Sequence, residues 1–528
     1  MQSKASKNSM PLYLSLILIA GMALGYMLSS SVGNNNFFSK SNNNTLQEIS
    51  TLIKSKYVDE IGMDSINTYA IDEMLSHLDP HSIYISPAEL ESVNSQLEGH
   101  FTGIGVLYNI IDDTVYIVQL INNGPAKKAG IEVGDKILNI NDSISLNKQN
   151  ISEEFIRSKM RGEEGSKVSI NVLRDGVTKK INITRATIAI PSVDAAYMLD
   201  AKTGYIKINK FAERTYEEFM QELEKLQKAK MENLVLDLRG NGGGFMRAAT
   251  AIADEFLGGD KLIVYTQGNK TEKDEIHCRK DGLFETGKLV VLIDETSASA
   301  SEVLAGALQD WDRATIIGRR SFGKGLVQQQ YNLSNGGALR LTVSRYYTPL
   351  GRNIQKPYTA GKAKYMHEVV ERYTDGEVVK GDTNTQKGKP FKTPKGNTVY
   401  GGGGITPDVF IGIDTSETKK LFYSLNKSES LEKFILKYCL NNKQKIVSLN
   451  NLNNLTTSLV LSEENWREFQ QIAIKDSVKN FTLTDDLKQM ITQNLKANIA
   501  KQVISNQAYY QVYNVTDTVI NKALQILK

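Results

Sequence analysis

The pattern of apolar and polar positions divides the 528-residue chain into stretches of different periodicity. A mostly apolar run from Pro11 to Leu28 contains no charged residue and is just long enough to span a membrane. Lys4 and Lys7 precede this run, so the positive-inside rule puts the bulk of the chain outside the cytoplasm. We expect residues 1–28 to be a retained single-pass anchor in the cell membrane, with the rest periplasmic; a cleaved signal peptide is the alternative.

Three further segments are distinguished by their patterns. Residues 29–44 are rich in Asn and Ser, which predicts a flexible spacer. Residues 45–98 have helical periodicity, interrupted by Leu78-Asp79-Pro80-His81. Residues 99–187 contain short alternating strands, including Val115 to Val118, and predict a β-rich unit.

The second half of the chain reads as α/β and then as helical. Residues 188–415 contain buried-type strands at Leu234–Leu238 and Leu289–Ile293, separated by helical patterns, and predict an α/β domain. From residue 416 to 528 the pattern is helical, and the segment contains no chemical motif. Its clearest apolar stripe recurs every four residues, at Leu487, Ile491, Leu495 and Ile499. We expect this extension to serve packing or assembly.

Composition narrows the function classes. The 63 basic and 59 acidic side chains leave a net charge of +4, which argues against a dedicated nucleic-acid surface. Cys278 and Cys439 are far apart and form neither a metal-binding spacing nor a disulfide framework. We therefore expect two buried thiols, no metal and no cofactor.

A serine on a strand-to-helix turn is the first candidate for chemistry. Ser299 follows the strand Leu289–Ile293 and, with Glu302, fits the capping-box pattern Ser-x-x-Glu at the start of a helix. A cap alone would explain this serine. A helix N-terminus also offers free N–H groups and a positive dipole end, where an oxyanion hole can form.

A catalytic serine needs a base, and the chain offers a lysine as well as its histidines as candidates. None of the five histidines lies in a triad motif, and the chain has no Gly-x-Ser-x-Gly elbow. Lys324, between Gly323 and Gly325, can serve if burial keeps it neutral. Gln328 follows four residues later, and on a strand it would share the face of Lys324 and hydrogen-bond to it. From these residues alone, a solvated loop lysine is the default interpretation of Lys324.

The same segment permits a nucleotide-binding interpretation. The residues from Gly318 to Lys324 match the start of a phosphate-binding loop. Gly325 stands where the magnesium-ligating Ser or Thr would be, and a strand pattern follows where a helix is needed. These departures weigh against the interpretation.

Residues 99–187 resemble a PDZ domain. The resemblance rests on Phe101-Thr102-Gly103-Ile104-Gly105-Val106, on an Ala-Gly helix end, and on Gly134-Asp135-Lys136-Ile137-Leu138. Such a domain captures a peptide as an added strand, and the loop containing Phe101, Gly103, Ile104 and Gly105 would bind its terminal carboxylate. A simple tight turn at the two glycines is the alternative.

Three segments together resemble the C-terminal processing peptidases, or tail-specific proteases. They are Asp237–Gly244, Ser299-Ala300-Ser301-Glu302 and Phe322-Gly323-Lys324-Gly325, and the resemblance extends from about Leu78 to Asp408. It implies a crotonase-like α/β core with an inserted PDZ domain. It also implies that Ser299 is the nucleophile, Lys324 the base and Gln328 an assisting residue. The oxyanion donors would be the N–H groups of Ala300 and of either Gly242 or Gly243. Ser297 and Ser301 are the alternative nucleophiles if the register is misread.

The function expected from this resemblance is a serine endopeptidase that cuts extracytoplasmic proteins at or near free C-termini. Arg161 is a candidate relay between the PDZ domain and the active site, and Asp310 is expected to be structural. A homo-oligomer or an adaptor protein is a possible partner. The alternative of another class is a catalytically silent, membrane-tethered PDZ adaptor.

Overall fold

The computed structural model describes Ser15, Ile19, Gly21, Met22 and residues 45–142, 144–146, 152–381, 388–449, 451–476, 478 and 481–528. The anchor expected at Pro11–Leu28 and the spacer at 29–44 therefore lie almost entirely outside the described residues. Among the residues described, no helix is both long and apolar enough to cross a membrane. The chain forms two compact units, Met1–Glu73 and Met74–Lys528.

The first two described helices are α1 (Thr45–Lys56) and α2 (Met63–Ser76), and neither contains a buried side chain. The segment 45–98 is not helical throughout, because strand β1 (Ile83–Ile85) precedes helix α3 (Pro87–Glu98). Strand β1 pairs with the strand Ala338–Tyr347, so this part of the segment belongs to a sheet of the α/β domain.

The PDZ-like unit follows α3 and has its own apolar core. Its elements are β2 (His100–Gly103), β3 (Val106–Ile111), β4 (Thr114–Leu120), α4 (Pro125–Ala129), β5 (Lys136–Ile140), β6 (Ile144–Ser145), α5 (Glu153–Met160), β7 (Lys167–Arg174), β8 (Val177–Thr184) and β9 (Ala186–Ala189). The main sheet has the order β3-β4-β5-β7-β8, and β2 pairs with β9. Strand β3 is thus an edge strand, with helix α5 nearby.

The α/β domain contains a mostly parallel sheet in the order β10-β11-β12-β15-β16-β21 and a second sheet built around β13 and β18. Its elements are β10 (Val193–Met198), β11 (Thr203–Ile208), α6 (Thr215–Lys228), β12 (Asn233–Asp237), α7 (Met246–Asp254), β13 (Leu262–Gln267), β14 (Asp274–His277), β15 (Lys288–Ile293), α8 (Ala300–Asp310), β16 (Thr315–Gly318), β17 (Leu326–Asn332), β18 (Ala338–Tyr347), α9 (Lys362–Thr374), α10 (Glu377–Lys380), β19 (Pro390–Lys392), β20 (Thr398–Tyr400) and β21 (Val409–Phe410). The buried stretches Leu234–Leu236 of β12 and Leu289–Ile293 of β15 are wholly apolar, because helices cover both faces of this parallel sheet.

The C-terminal segment is helical, but its end belongs to the α/β domain. Its helices are α11 (Glu417–Lys427), α12 (Ser430–Asn441), α13 (Lys443–Ser448), α14 (Leu452–Ser458), α15 (Glu463–Lys475), α16 (Asp485–Val503), α17 (Asn506–Tyr513) and α18 (Thr518–Leu527). The stripe predicted from Leu487 to Ile499 is buried along α16. Helix α18 instead packs Val519, Ile520 and Ala523 against Val235 of the parallel sheet and its neighbours. Residues 416–503 form the part called the helical extension below.

Candidate active site

Ser299 lies on the turn between β15 and α8, as the sequence pattern predicts. It is the N-cap of α8, in the capping box expected with Glu302, and it is partly exposed. Its backbone has φ 56° and ψ −114°, a region that residues with a side chain rarely occupy. Such backbone strain is retained only where the surroundings impose it, and it is common at active sites.

The neighbouring serines are held differently. The Ser297 hydroxyl donates to the carbonyl of Leu238 at 2.8 Å, and the Ser301 hydroxyl donates to that of Asn241 at 2.9 Å. Both side chains are fully buried. Of the three serines in this segment, Ser299 is therefore the one whose hydroxyl a substrate can reach.

Lys324 lies on the turn between β16 and β17 and is partly buried. Burial lowers the pKa of its ammonium group, and the nearby Arg340 guanidinium lowers it further. Gly323 has φ +91°, and a Cβ there would lie 3.1 Å from the Lys356 Cβ, so this turn requires glycine. Strand β17 follows instead of a helix, which excludes the phosphate-loop interpretation.

The Glu302 carboxylate joins the two turns. One oxygen accepts hydrogen bonds from the backbone N–H groups of Ser299 and Lys324, at 2.8 and 2.9 Å. The other accepts hydrogen bonds from the Ser321 hydroxyl and from the Gly323 N–H. Burial raises the pKa of Glu302, and these four donors oppose that effect. The capping-box pattern identified the contact with Ser299, but the contact with the lysine turn has no signal in the sequence.

Tyr346 makes a second bridge between the turns. Its hydroxyl lies within hydrogen-bonding distance of the carbonyl oxygens of Ser299, at 3.1 Å, and of Lys324. The side chains of Ser299 and Lys324 themselves share no hydrogen bond in the part of the chain that the structure describes. The backbones of the two candidate catalytic residues are thus fixed, while their reactive atoms stay unjoined.

Gln328 does not hydrogen-bond to Lys324 as the sequence suggested. Its amide donates to the Thr342 hydroxyl at 3.1 Å. The strand alternation behind that expectation does not apply, because β17 begins only at Leu326 and its pairing with β18 shifts between Val327 and Gln328.

The glycine-rich turn after β12 lies against Ser299. A Cβ added to Gly243 would lie 2.8 Å from the Ser299 Cβ and 3.0 Å from the Ala300 nitrogen. The N–H of Gly243 donates to the Asn241 side chain at 2.9 Å. The N–H groups of Gly242 and Ala300, in contrast, have no acceptor among the described residues. Ala300 follows Ser299 directly in the chain, and Gly242 precedes the glycine that contacts Ser299, so both unbonded N–H groups are candidates for an oxyanion hole.

The segment Asp79–Ser82 also reaches this site, which sequence reasoning did not foresee. Asp79 accepts hydrogen bonds from the backbone of His81 and Ser82 and lies close enough to Lys324 to favour its charged form. His81 bonds to the Tyr365 hydroxyl at 2.9 Å. Burial, and then the charge of Lys324, lower the pKa of His81 to about 4, so it is neutral at neutral pH.

Asp310 lies away from the reacting groups, at the far end of α8. It forms a fully buried ion pair with Arg352 at 2.5 Å and accepts the N–H of Leu350. Its place in the fold fits the structural role expected for it.

The loop of the PDZ-like unit has free donors as well. The backbone carbonyls of Ile104 and Gly105 accept from Ala126 and Ile121, but the N–H groups of Ile104 and Gly105 find no acceptor within the described chain. Gly105 has φ +79°, a conformation suited to glycine. Two adjacent free N–H groups at the start of the edge strand β3 are suited to binding a carboxylate.

Arg161 connects this loop to α3. Its guanidinium group stacks on the Phe101 ring at 5.1 Å and donates to the Ser92 hydroxyl at 3.3 Å. Helix α3 runs from β1 to β2, so Arg161 contacts the element that leads from the α/β domain into the PDZ-like unit.

Comparison with known proteins matches both units. The model of peptidase family S41 matches residues 202–361, and that of the PDZ domain matches residues 102–184. A carboxy-terminal-processing protease of Bartonella bacilliformis is 33% identical over 345 residues, which cover 64% of this chain and 79% of the relative. A carboxyl-terminal-processing protease of Synechocystis sp. is 34% identical over 315 residues, covering 58% of this chain and 72% of that protein.

Among solved structures, the photosystem II D1 C-terminal processing protease is 26% identical, with a TM-score of 0.37; the match covers 70% of this chain and 87% of that one. Each of these two curated matches covers more than two thirds of the relative's length. The chain therefore belongs to peptidase family S41, the carboxy-terminal processing proteases, and is a serine peptidase with a PDZ domain.

Proposed function

We propose that this peptidase cuts proteins at or near their C-termini with a Ser–Lys dyad. Ser299 attacks the scissile carbonyl while neutral Lys324 takes the hydroxyl proton, and Lys324 then gives this proton to the leaving amine as the C–N bond breaks. Water, deprotonated by Lys324, attacks the acyl-enzyme, which releases the new C-terminal carboxylate and restores the Ser299 hydroxyl. The main support is that the Glu302 carboxylate accepts hydrogen bonds from the backbone N–H groups of both residues and so keeps the two turns together. The lowered pKa of Lys324 adds support, because only the neutral amine can act as a base.

The oxyanion of the tetrahedral intermediate would be bound by the N–H groups of Ala300 and Gly242, which have no acceptor among the described residues. We assign the hole to Gly242 rather than Gly243, since the N–H of Gly243 is already bonded to Asn241. Gln328 would act through Thr342, to which it donates, and not by holding the lysine directly.

Substrate tails would be captured by the PDZ domain. The free N–H groups of Ile104 and Gly105 would bind the terminal carboxylate, and the preceding residues would add as a strand to β3. Arg161 would relay occupancy, because it contacts both Phe101 in the carboxylate loop and Ser92 on α3. Tail capture favours the arrangement in which the Ser299 hydroxyl and the Lys324 amine form a hydrogen bond, provided that the tail binds this arrangement more tightly than the unbonded one.

We also propose that residues 1–28 anchor the enzyme, with its catalytic part outside the cytoplasm, since Lys4 and Lys7 precede the apolar run. The α/β core is proposed to be of the crotonase type; its parallel sheet with helices on its faces supports this. Protease protection in spheroplasts tests the location: a catalytic domain that external protease cannot reach would refute it.

The decisive experiment compares two forms of one unfolded substrate, ending in an apolar residue with either a free or an amidated carboxyl group. The wild-type enzyme should cut the free form faster. Ser299→Ala should cut neither form but remain folded, with a loss of only about 1 kcal/mol from the missing cap. If Ser299→Ala retains activity and Ser301→Ala loses it, the assignment of the nucleophile is wrong. Equal rates on the two substrates would refute tail capture.

A further inference from the structure

The helical extension is fixed against the PDZ domain. The Leu440 side chain on α12 occupies the space in which a Cβ of Gly134 would lie, so this side chain packs directly on the backbone of the PDZ domain. Asp112, at the tip of the β3–β4 hairpin, pairs with Lys475 at 3.2 Å and Lys433 at 3.9 Å. Apolar and ionic contacts together hold the extension beside the edge strand β3.

The side chains of β3 alternate between two faces. Val106, Tyr108 and Ile110 pack on the PDZ core, and the Tyr108 hydroxyl donates to the carbonyl of Glu153 on α5. Leu107, Asn109 and Ile111 therefore lie on the opposite, outer face. Leu107 is 43% exposed, although it is a large apolar residue.

The extension reaches this outer face at Asn109. The Asn109 amide donates to the Glu432 carboxylate on α12 at 3.3 Å. Glu432 forms no ion pair within the described part of the chain, whereas its neighbour Lys433 is paired with Asp476. Partial desolvation, and then the charge of nearby Glu429, raise the pKa of the exposed Glu432. Its carboxylate is thus a negative charge that lacks a cation.

A tail bound with its carboxylate at Ile104 and Gly105 runs antiparallel to β3, and its side chains alternate between the same two faces. With the last residue opposite Val106, the residue three positions before it lies opposite Asn109 and faces outward. We propose that Glu432 of the helical extension selects substrate tails that carry Lys or Arg at that position. This proposal rests on the tail capture described above.

The test measures peptide binding by fluorescence anisotropy with the full chain carrying Ser299→Ala. Peptides end in one apolar sequence and differ only in having Lys, Ala or Glu three residues before the last. The Lys peptide should bind about two- to fivefold more tightly than the Ala peptide, the range expected for an exposed ion pair, and the Glu peptide more weakly. This preference should diminish at high salt.

Glu432→Lys should invert the order, so that the Glu peptide binds most tightly. Glu464→Lys is the matched control: it lies on α15, roughly 16 Å along the helix from the PDZ contact at Lys475, and should leave the order unchanged. An order that persists in Glu432→Lys overturns the proposal. Amidated peptides distinguish tail capture from selection by Glu432. If amidation abolishes binding but Glu432→Lys has no effect, tail capture is supported and the role of Glu432 is refuted.

Discussion

Replacing Glu302 by Gln tests whether this carboxylate positions both catalytic turns. The side chain is fully buried, and its two oxygens accept four donors. An amide has one oxygen, so its NH₂ group must face donors. The NH₂ group fits best beside Ser321, because the Ser321 hydroxyl can rotate and accept a hydrogen bond from it. The N–H of Gly323, which shares that oxygen in the wild type, then loses its acceptor.

The expected cost follows from these contacts. A lost hydrogen bond to a charged group costs about 1.5–3 kcal/mol, so Glu302→Gln should lower the free energy of unfolding by about 3 kcal/mol. The turns of Ser299 and Lys324 would also lose their common ionic acceptor. A displacement of about 1 Å between reacting groups lowers the rate about 100-fold, and we expect a loss of that order in kcat.

Glu295→Gln is the matched control. Glu295 is also buried, on the loop before Ser299, but it binds Arg319 at 2.7 Å and Tyr373 instead of the catalytic turns. Urea unfolding should show a comparable loss of stability in both variants, whereas peptidase assays should show the loss of kcat only in Glu302→Gln. A Glu302→Gln enzyme with the stability and kcat of the wild type would mean that the carboxyl group is protonated or plays no positioning role.

Three further predictions concern the same site. Because burial lowers the pKa of Lys324, kcat/KM should rise with pH as the amine loses its proton, and Lys324→Arg should be inactive at every pH; an active Lys324→Arg enzyme would remove lysine as the base. Gly243→Ala should lower kcat at least 100-fold because its Cβ would contact Ser299, while Gly240→Ala, at a similar φ in open space, should keep activity; equal kcat values would contradict this geometry. The pKa of His81 is lowered to about 4, so the unfolded state binds more protons than the folded state between pH 6.5 and 4. The free energy of unfolding should therefore fall by about 3 kcal/mol as the pH drops through that range. If thermal unfolding of a His81→Gln variant shows the same acid-dependent loss, another group causes it.

Local patterns in the sequence determined much of this protein. The Ser-x-x-Glu pattern placed Ser299 on a strand-to-helix turn, and the four-residue apolar spacing identified helix α16, because capping and helical periodicity depend on near neighbours. The order of motifs identified the family. The loop containing Ile104 and Gly105 was likewise found from its glycines, which set backbone conformation locally.

Contacts between residues far apart in the chain were decided only by the tertiary structure. The sequence could not show that Glu302 also binds the Lys324 turn, or that Asp79 and His81 lie beside that lysine, because those contacts depend on how loops meet after the sheets form. The bond expected from Gln328 failed for the same reason, since a register shift in β17 moved its side chain toward Thr342. Likewise, periodicity reveals an apolar helix face but not its partner, so only the folded chain placed α18 on the parallel sheet and Glu432 beside Asn109.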